Sequence, residues 1–292
     1  MRRLRDSATA VLVAIALLAG CTSTQTSPPE VTVTGEAGQA PTLTYLTPLE
    51  VSETYREQIW PGTGPELVEG GPVLIDFWLE NGTDASLVDE SYSTTPTPRL
   101  LTEEDLGTDL YETLRGQQVG ARVLQVSPGG RSGAVDYPSV TVLDVLPTRA
   151  DGEALAPRPD LPVITLDASG APSMTPTGTE PPDQLVVQAL LRGSGAQVAA
   201  DDVITVQYAG FVWTTGEAFD STWSRGLPVS FALQDVQAWA EGLLDQPVGS
   251  QVMLVVPPTY ALGVTESEEL AGQTVVFVVD ILATGSPDGG TS

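Results

Sequence analysis

The sequence predicts an α+β protein made of two tandem copies of one small domain, each a sheet laid over a short helix. Three observations carry this. Segments of the two halves match in order, apolar residues alternate at period two in several runs, and one short stretch has helical spacing.

The chain opens with Arg2, Arg3 and Arg5, followed by a nearly all-apolar stretch from Ala8 to Leu18 that is too short to span a bilayer. It ends in Leu18-Ala19-Gly20-Cys21, which resembles the lipobox of bacterial lipoproteins. That resemblance implies a signal peptide over 1–20 and a lipidated Cys21 as the new N-terminus. The protein would then be held by its lipid on the extracytoplasmic face of the bacterial cell membrane. A plain signal peptide and an internal hydrophobic segment are the other readings. Cys21 is the only cysteine in the chain, so no intramolecular disulfide can form. Cleavage would remove three Arg and Asp6, leaving 9 basic against 37 acidic residues, a net charge of −28. Such a body is repelled by an anionic membrane surface, so the lipid must do the anchoring. The Thr-, Ser-, Pro- and Gly-rich run over 21–41 reads as a flexible tether reaching on the order of 25 Å.

Composition excludes much chemistry. All twelve basic residues are Arg, and the 292-residue chain has no Lys and no His. A Ser-His-Asp triad, a Cys-His pair, a His-ligated zinc or a Schiff-base lysine cannot be built. A net charge of −26 argues against a nucleic-acid partner, which needs a basic footprint. No cofactor or metal is implied.

The first copy is expected over 42–147 and a Pro-rich linker with a leading strand over 148–184. The second copy follows over 185–284, with a flexible tail at 285–292. "VTVTGEAGQAP" from Val31 parallels "VITLDASGAP" from Val163, and "IWPGTGPELVEGGPVLIDFW" parallels "LLRGSGAQVAADDVITVQYA". "LYETLRGQQVGARVLQVSP" parallels "WAEGLLDQPVGSQVMLVVPP", and "VTVLDVLPT" parallels "VVFVVDILAT". Four matches in order indicate duplication.

In the second copy Ile204, Val206 and Tyr208 alternate with Val203, Thr205 and Gln207, which predicts a half-buried strand. Val252, Leu254 and Val256 repeat the pattern, as do Val275, Phe277, Val279 and Ile281. Val236, Trp239, Ala240 and Leu243 share one helical face, with Asp235 as the expected N-cap.

Five blocks name a family. "VQYAG", "GEAFDSTWSRG", "WAEGL", "VGSQVMLVVPPTYALG" and "GQTVVFVVDIL", in this order from about Leu185 to Thr284, resemble an FKBP-type peptidyl-prolyl cis-trans isomerase. The resemblance implies an antiparallel sheet curled around the short helix, with a pocket between them that receives a proline ring. Trp239 is then the floor, and Tyr208, Phe219 and Phe277 are aromatic walls. Val229 and Val236 are apolar walls, with the Val236 N–H facing the peptide. Asp220 is the buried polar group, held by the Tyr208 hydroxyl and Arg225. The implied partners are proline-containing segments of client proteins, met by a monomer. The implied activity is prolyl isomerisation, assisting the folding of secreted or surface proteins.

The pattern departs in two places. Leu262 stands where the family has a Tyr whose hydroxyl binds the peptide carbonyl, and the acidic loop "VTESEEL" leaves Leu270 as the expected apolar tip. In the first copy Trp78 is read as replacing the pocket Tyr, Val88 as replacing the Phe before Asp89, and Leu110 as replacing the floor Trp. That copy is expected to keep the fold without the pocket. The rival function is a non-catalytic FKBP-like lipoprotein that binds a peptide or partner.

Overall fold

The computed structural model describes residues 28–130, 136–260 and 270–286. A hairpin of β1 (Thr32–Thr34) and β2 (Thr42–Thr44) comes first, followed by β3 (Tyr55–Trp60), β4 (Pro72–Asn81), β5 (Ser86–Glu90) and β6 (Thr97–Leu100). Helix α1 (Glu103–Leu114), β7 (Arg122–Ser127) and β8 (Ser139–Leu146) complete the first sheet, with order β3-β7-β8-β4-β5 and β6 paired to β4. Every pairing is antiparallel.

The remainder of the chain repeats that order. It contains β9 (Glu153–Ala154), a hairpin of β10 (Val163–Leu166) and β11 (Pro172–Thr175), then β12 (Val186–Arg192), β13 (Val203–Val212) and β14 (Ala218–Ser221). After these come α2 (Thr222–Arg225), β15 (Val229–Ala232), a 3-10 turn at Leu233–Asp235, α3 (Gln237–Gly242), β16 (Gln251–Val256) and β17 (Val275–Gly285). The second sheet runs β12-β16-β17-β13-β14, with β15 on β13 and β9 added outside β12. Small contacts repeat too. Gly64 N–H donates to the Val119 carbonyl (2.9 Å) as Gly195 N–H does to Val248 (3.1 Å), and Gly120 N–H to Val145 (2.7 Å) as Gly249 N–H to Ile281 (2.8 Å).

Each sheet is covered on both faces. On one side of the second sheet Ile204, Val206, Val252, Leu254, Val279 and Ile281 meet Trp239 and Leu243 of the α3 region. On the other, Ala209, Phe211, Met253, Val255, Val276 and Val278 meet Leu161 and Met174, with Ile164 at the margin. The first sheet has the same layering, with Leu106 and Leu110 on one side and Val31, Val33 and Leu43 on the other. This corrects three expectations. The end of the stretch read as a tether over 21–41 holds strand β1, because Val33 and Leu43 pack on Leu124, Val126, Val140 and Val142. The stretch 148–184, expected as a linker with one leading strand, holds three strands, β9, β10 and β11. Strand β13 is not half-buried: Thr205 and Gln207 are buried as fully as their apolar neighbours.

Covering both faces buries polar groups, which need partners. In the first unit Arg122 lies fully buried against Asp144 (Nε–Oδ1 and Nη2–Oδ2, each 2.6 Å), and its Nη2 also donates to the carbonyls of Glu36 (3.2 Å) and Gln39 (2.7 Å). Gln251 and Asp280 occupy the same register places in the second sheet. There Asp280 accepts from Gln251 Nε2 (2.8 Å) and Ala150 N–H (2.8 Å). Lacking a cation at bonding distance, Asp280 is pushed up to about 6 by burial, against its two hydrogen bonds and the more distant charge of Arg149. Asp76 is likewise pushed up to about 6 by burial, against the Ser91 hydroxyl and with Asp144 and Glu90 repelling its charge.

A carboxyl raised in the folded state costs nothing below its unfolded value, near 3.8, and destabilises progressively as pH rises to about 6. Asp280→Asn is therefore expected to raise stability at pH 7, by up to about 3 kcal/mol, and to change little at pH 4. Urea unfolding of parent and variant at both pH values checks this. An equal offset at pH 4 and pH 7 would refute it.

Candidate functional site

The second unit gathers the aromatic residues at one end of its sheet. Tyr208 sits on β13, Phe219 and Asp220 on β14, Phe277 on β17, and Trp239 in the first turn of α3. The register forces this meeting, since Gly210 of β13 faces Asp220 on one side and Phe277 on the other. Trp239 is the most buried of these rings, 2% exposed, with ring centroids 5.1 Å from Tyr208, 5.4 Å from Phe277 and 5.0 Å from Phe231. Phe277 also meets Phe219 edge-on at 5.7 Å and Tyr208 at 6.2 Å. Edge-to-face contacts of this kind hold rings in fixed orientations, each by about 0.5–1.5 kcal/mol beyond area burial. Val229 and Val236 pack at the margin of the same cluster.

Asp220 is the lone acid of this box and is tied twice, accepting from the Tyr208 hydroxyl and from Arg225 Nη1. Arg225 Nη2 also reaches the Tyr208 oxygen at 3.1 Å, and its guanidinium lies 5.6 Å from the Tyr208 ring centre. Burial and the Asp220 bond raise the Tyr208 hydroxyl above its ordinary value, so it stays protonated and donates. Five residues separate Asp220 from Arg225, and α2 is the turn that folds the guanidinium back, closed by Gly226 in the left-handed conformation.

Local sequence explains the placement. Thr222 is fully buried, and its Oγ1 accepts from Tyr208 N–H (2.8 Å) and donates to Gln207 Oε1 (2.5 Å), pinning α2 to β13. Gly210 gives the Phe219 ring its room: a β-carbon there would lie 2.5 Å from Phe219 Cζ. Gly210→Ala is thus expected to push Phe219 out of the box and destabilise the second unit by about 1–3 kcal/mol, as overpacking does. Urea unfolding together with the near-ultraviolet aromatic signal checks this. A variant unchanged in both would show that the ring does not need the glycine.

Several sequence expectations meet the structure differently. Val236, not Asp235, precedes the first turn of α3, because Leu233–Asp235 already form a 3-10 turn. Leu270 is buried within the helix-side core rather than offered as an exposed tip. Leu262 and Cys21 lie outside the described residues. Phe231, Thr222 and Gly210 were not singled out from sequence. The alternation Val229-Ser230-Phe231 was the available signal for the first, whereas nothing local marks Thr222.

In the first unit the register places Phe77, not Trp78, opposite Leu143 as Tyr208 is opposite Val279. Trp78 turns to the other face, where its indole donates to Glu80 Oε1 (2.8 Å). Asp89 does face Leu79 as Asp220 faces Gly210, but it is exposed and caps only the Glu90 N–H (2.9 Å). Val88 is 44% exposed, and Leu110 packs with Leu106 and Phe77 where the second unit has its aromatic box. Among the described residues no three His, Cys, Asp or Glu side chains gather to hold a metal.

A box of five aromatic rings with an ion-paired carboxylate bonded to one of them, on this sheet order, invites comparison with known proteins. The family model described as FKBP-type peptidyl-prolyl cis-trans isomerase matches residues 195–282. The probable FK506-binding protein of Corynebacterium glutamicum is 37% identical over 110 residues, spanning 37% of this chain and 92% of that protein. The chain belongs to the FKBP-type isomerase family. The FK506-binding protein of Streptomyces anulatus is similar at 33% identity over 112 residues, 36% of this chain and 90% of that protein. The FKBP-type isomerase FkpA of Escherichia coli is 35% identical over 100 residues, 34% of this chain but only 37% of that protein. The family match falls on the second unit, which holds the complete aromatic box.

Proposed function

We propose that the second unit is a peptidyl-prolyl cis-trans isomerase acting on proline-containing segments of secreted or surface proteins. The observation that carries this reading is the aromatic box of Tyr208, Phe219, Phe231, Trp239 and Phe277 around an Asp220 already satisfied by Tyr208 and Arg225. Rotation about an amide crosses a barrier of about 18–20 kcal/mol because resonance holds it planar. A twisted amide is less polar than a planar one. A dry aromatic site that binds the twisted form better lowers the barrier without a nucleophile, base or metal, about tenfold per 1.4 kcal/mol of preference. With its charge neutralised, Asp220 orients Tyr208 and leaves the box apolar.

In this reading the repeated strand order makes the chain a tandem of two FKBP-like domains. The first is a non-catalytic spacer or binding platform, since Leu110 and Phe77 fill its site. The lipobox-like Leu18–Cys21 supports anchorage of a monomer at the extracytoplasmic membrane face. The acid-rich surface gives nucleic acid no footing. Leu262 favours a second reading, a peptide-binding FKBP-like lipoprotein that no longer turns over, because Leu cannot hydrogen-bond a peptide carbonyl.

Prolyl isomerisation of short peptides with Leu or Phe before proline, measured with the full chain and with Leu262→Tyr, separates the two. Acceleration by the parent supports the enzyme. Acceleration by Leu262→Tyr alone supports the binding reading, and silence in both rejects the enzyme.

A further inference from the structure

The second sheet receives its outermost strand from the chain itself. Arg149–Leu155 crosses the end of that sheet and joins β12 antiparallel, pairing Ala154 with Leu191 and Glu153 with Arg192. Ala150 N–H donates to Asp280 Oδ2 (2.8 Å), Gly152 N–H to the Gly249 carbonyl (3.1 Å) and Leu155 N–H to the Leu190 carbonyl (2.9 Å). The fit is close: a β-carbon on Gly152 would come within 2.3 Å of the Arg192 carbonyl oxygen, and one on Gly170 within 3.0 Å of Arg149 Cδ.

The first unit has the same sheet end, and among the described residues no strand lies on it. Gly62 and Gly64 crowd Val119 as Gly193 and Gly195 crowd Val248. Asp144 takes the register place of Asp280, and the irregularity at Ile59 in β3 repeats the one at Leu190 in β12. Yet among the described residues β3 pairs only with β7, and none of them adds to its outer edge. Where the second unit holds Arg149–Gly152, the first has a cleft of about 220 Å³ lined by Gly38, Trp60, Thr63, Gly120 and Asp144, with Pro147 and Asp151 of the crossing segment closing one side. Gly38 in the hairpin turn has open space beside it, in contrast to Gly170. The Arg122 guanidinium carbon lies 4.5 Å from the Trp60 ring centre, and its buried Nη1 makes no hydrogen bond of normal geometry among the described residues, with the Tyr92 hydroxyl close by.

We propose that this cleft and the free edge of β3 form an acceptor site for an extended segment of a partner polypeptide. The segment adds antiparallel to β3 as Ala150–Leu155 adds to β12. The occupant is defined by the one the second unit already holds: a short strand of small residues, with glycine or alanine where it crosses the Gly62–Gly120 contact. Main-chain hydrogen bonds supply the grip in such strand addition, and pockets for alternate side chains supply the choice. Here the choice falls to Trp60, which replaces Leu191 and offers an aromatic face. Pro61 replaces Arg192 and has no N–H, so pairing there runs through its carbonyl alone and the added strand is short. This site is separate from the aromatic box and does not depend on its activity.

The probe is a fluorescent nonapeptide with the sequence Thr148–Ala156, which contains no proline for the aromatic box to take. It is titrated into the full chain and amide hydrogen exchange is followed. Binding should slow exchange across Tyr55–Trp60. Thr63→Trp, an exposed position whose new ring fills the cleft, should weaken binding by about tenfold or more. Absence of binding at millimolar peptide overturns the proposal. So does protection confined to β12, which would mean that the peptide displaces the chain's own strand, or equal binding by Thr63→Trp. If β3 is already protected in the full chain and loses that protection on removal of residues 1–27, the chain itself is the occupant and the partner assignment falls.

Discussion

Trp239→Ala is expected to abolish prolyl isomerisation and to destabilise the second unit by about 3–5 kcal/mol, the usual cost of emptying a large aromatic site in a core. The indole touches Tyr208, Phe231 and Phe277 at once, so its loss leaves three rings without a common support. Floor and fold are thus linked, and Trp239→Leu separates them. Leucine keeps much of the apolar volume, so the unit should stay folded while the rate falls at least about tenfold, a loss of roughly 1.4 kcal/mol of transition-state preference. Urea unfolding and a peptide isomerisation assay on the two variants provide the check. A Trp239→Leu protein that turns over as fast as the parent would remove the aromatic floor from the mechanism.

In the first unit the largest effect is expected at Arg122. Arg122→Met leaves Asp144 charged, buried and unpaired, and should cost about 3–5 kcal/mol. Arg122→Met with Asp144→Leu should recover much of that, because two apolar side chains can replace a buried ion pair at little net cost. Recovery will be incomplete, since the carbonyls of Glu36 and Gln39 lose the Nη2 donor that ties the first hairpin to the sheet. Trp60 and Trp78 report on this unit and Trp213, Trp223 and Trp239 on the other, so fluorescence can show whether one transition moves alone. A double variant no more stable than Arg122→Met would show that the carbonyl contacts, not the ion pair, dominate.

All of the aromatic box except Phe231 was legible in sequence because those members fall within short motifs. Tyr208 belongs to an alternating strand, Asp220 follows Phe219, and Trp239 opens an amphipathic turn. The repeated strand order was equally open to reading. What escaped depends on contacts between distant segments. The β1 hairpin resembles a linker in composition, and only the outer face of the sheet, some 80 residues on, shows why Val31, Val33 and Leu43 alternate. Thr222 is an ordinary threonine until β13 presents its backbone N–H. Trp78 was misplaced by one residue, and on a strand one residue exchanges the two faces.

The position of the closing strand in each sheet governs how the protein can be made. β17 lies between β13 and β16, and β8 between β4 and β7, so the last strand of each sheet in the chain is the one that joins its halves. On the ribosome, Ile204 and Val206 emerge well before the strand that will cover them. From Val203 to Gly285 synthesis takes about 4–16 s at 5–20 residues per second. Through that interval β13 and β16 lack the strand that lies between them, while every strand of the first sheet has been made. A chain ending between Leu146 and Val275 would carry every strand of the first sheet but lack the central strand of the second, and the many carboxylates of that remainder would be its main defence against aggregation.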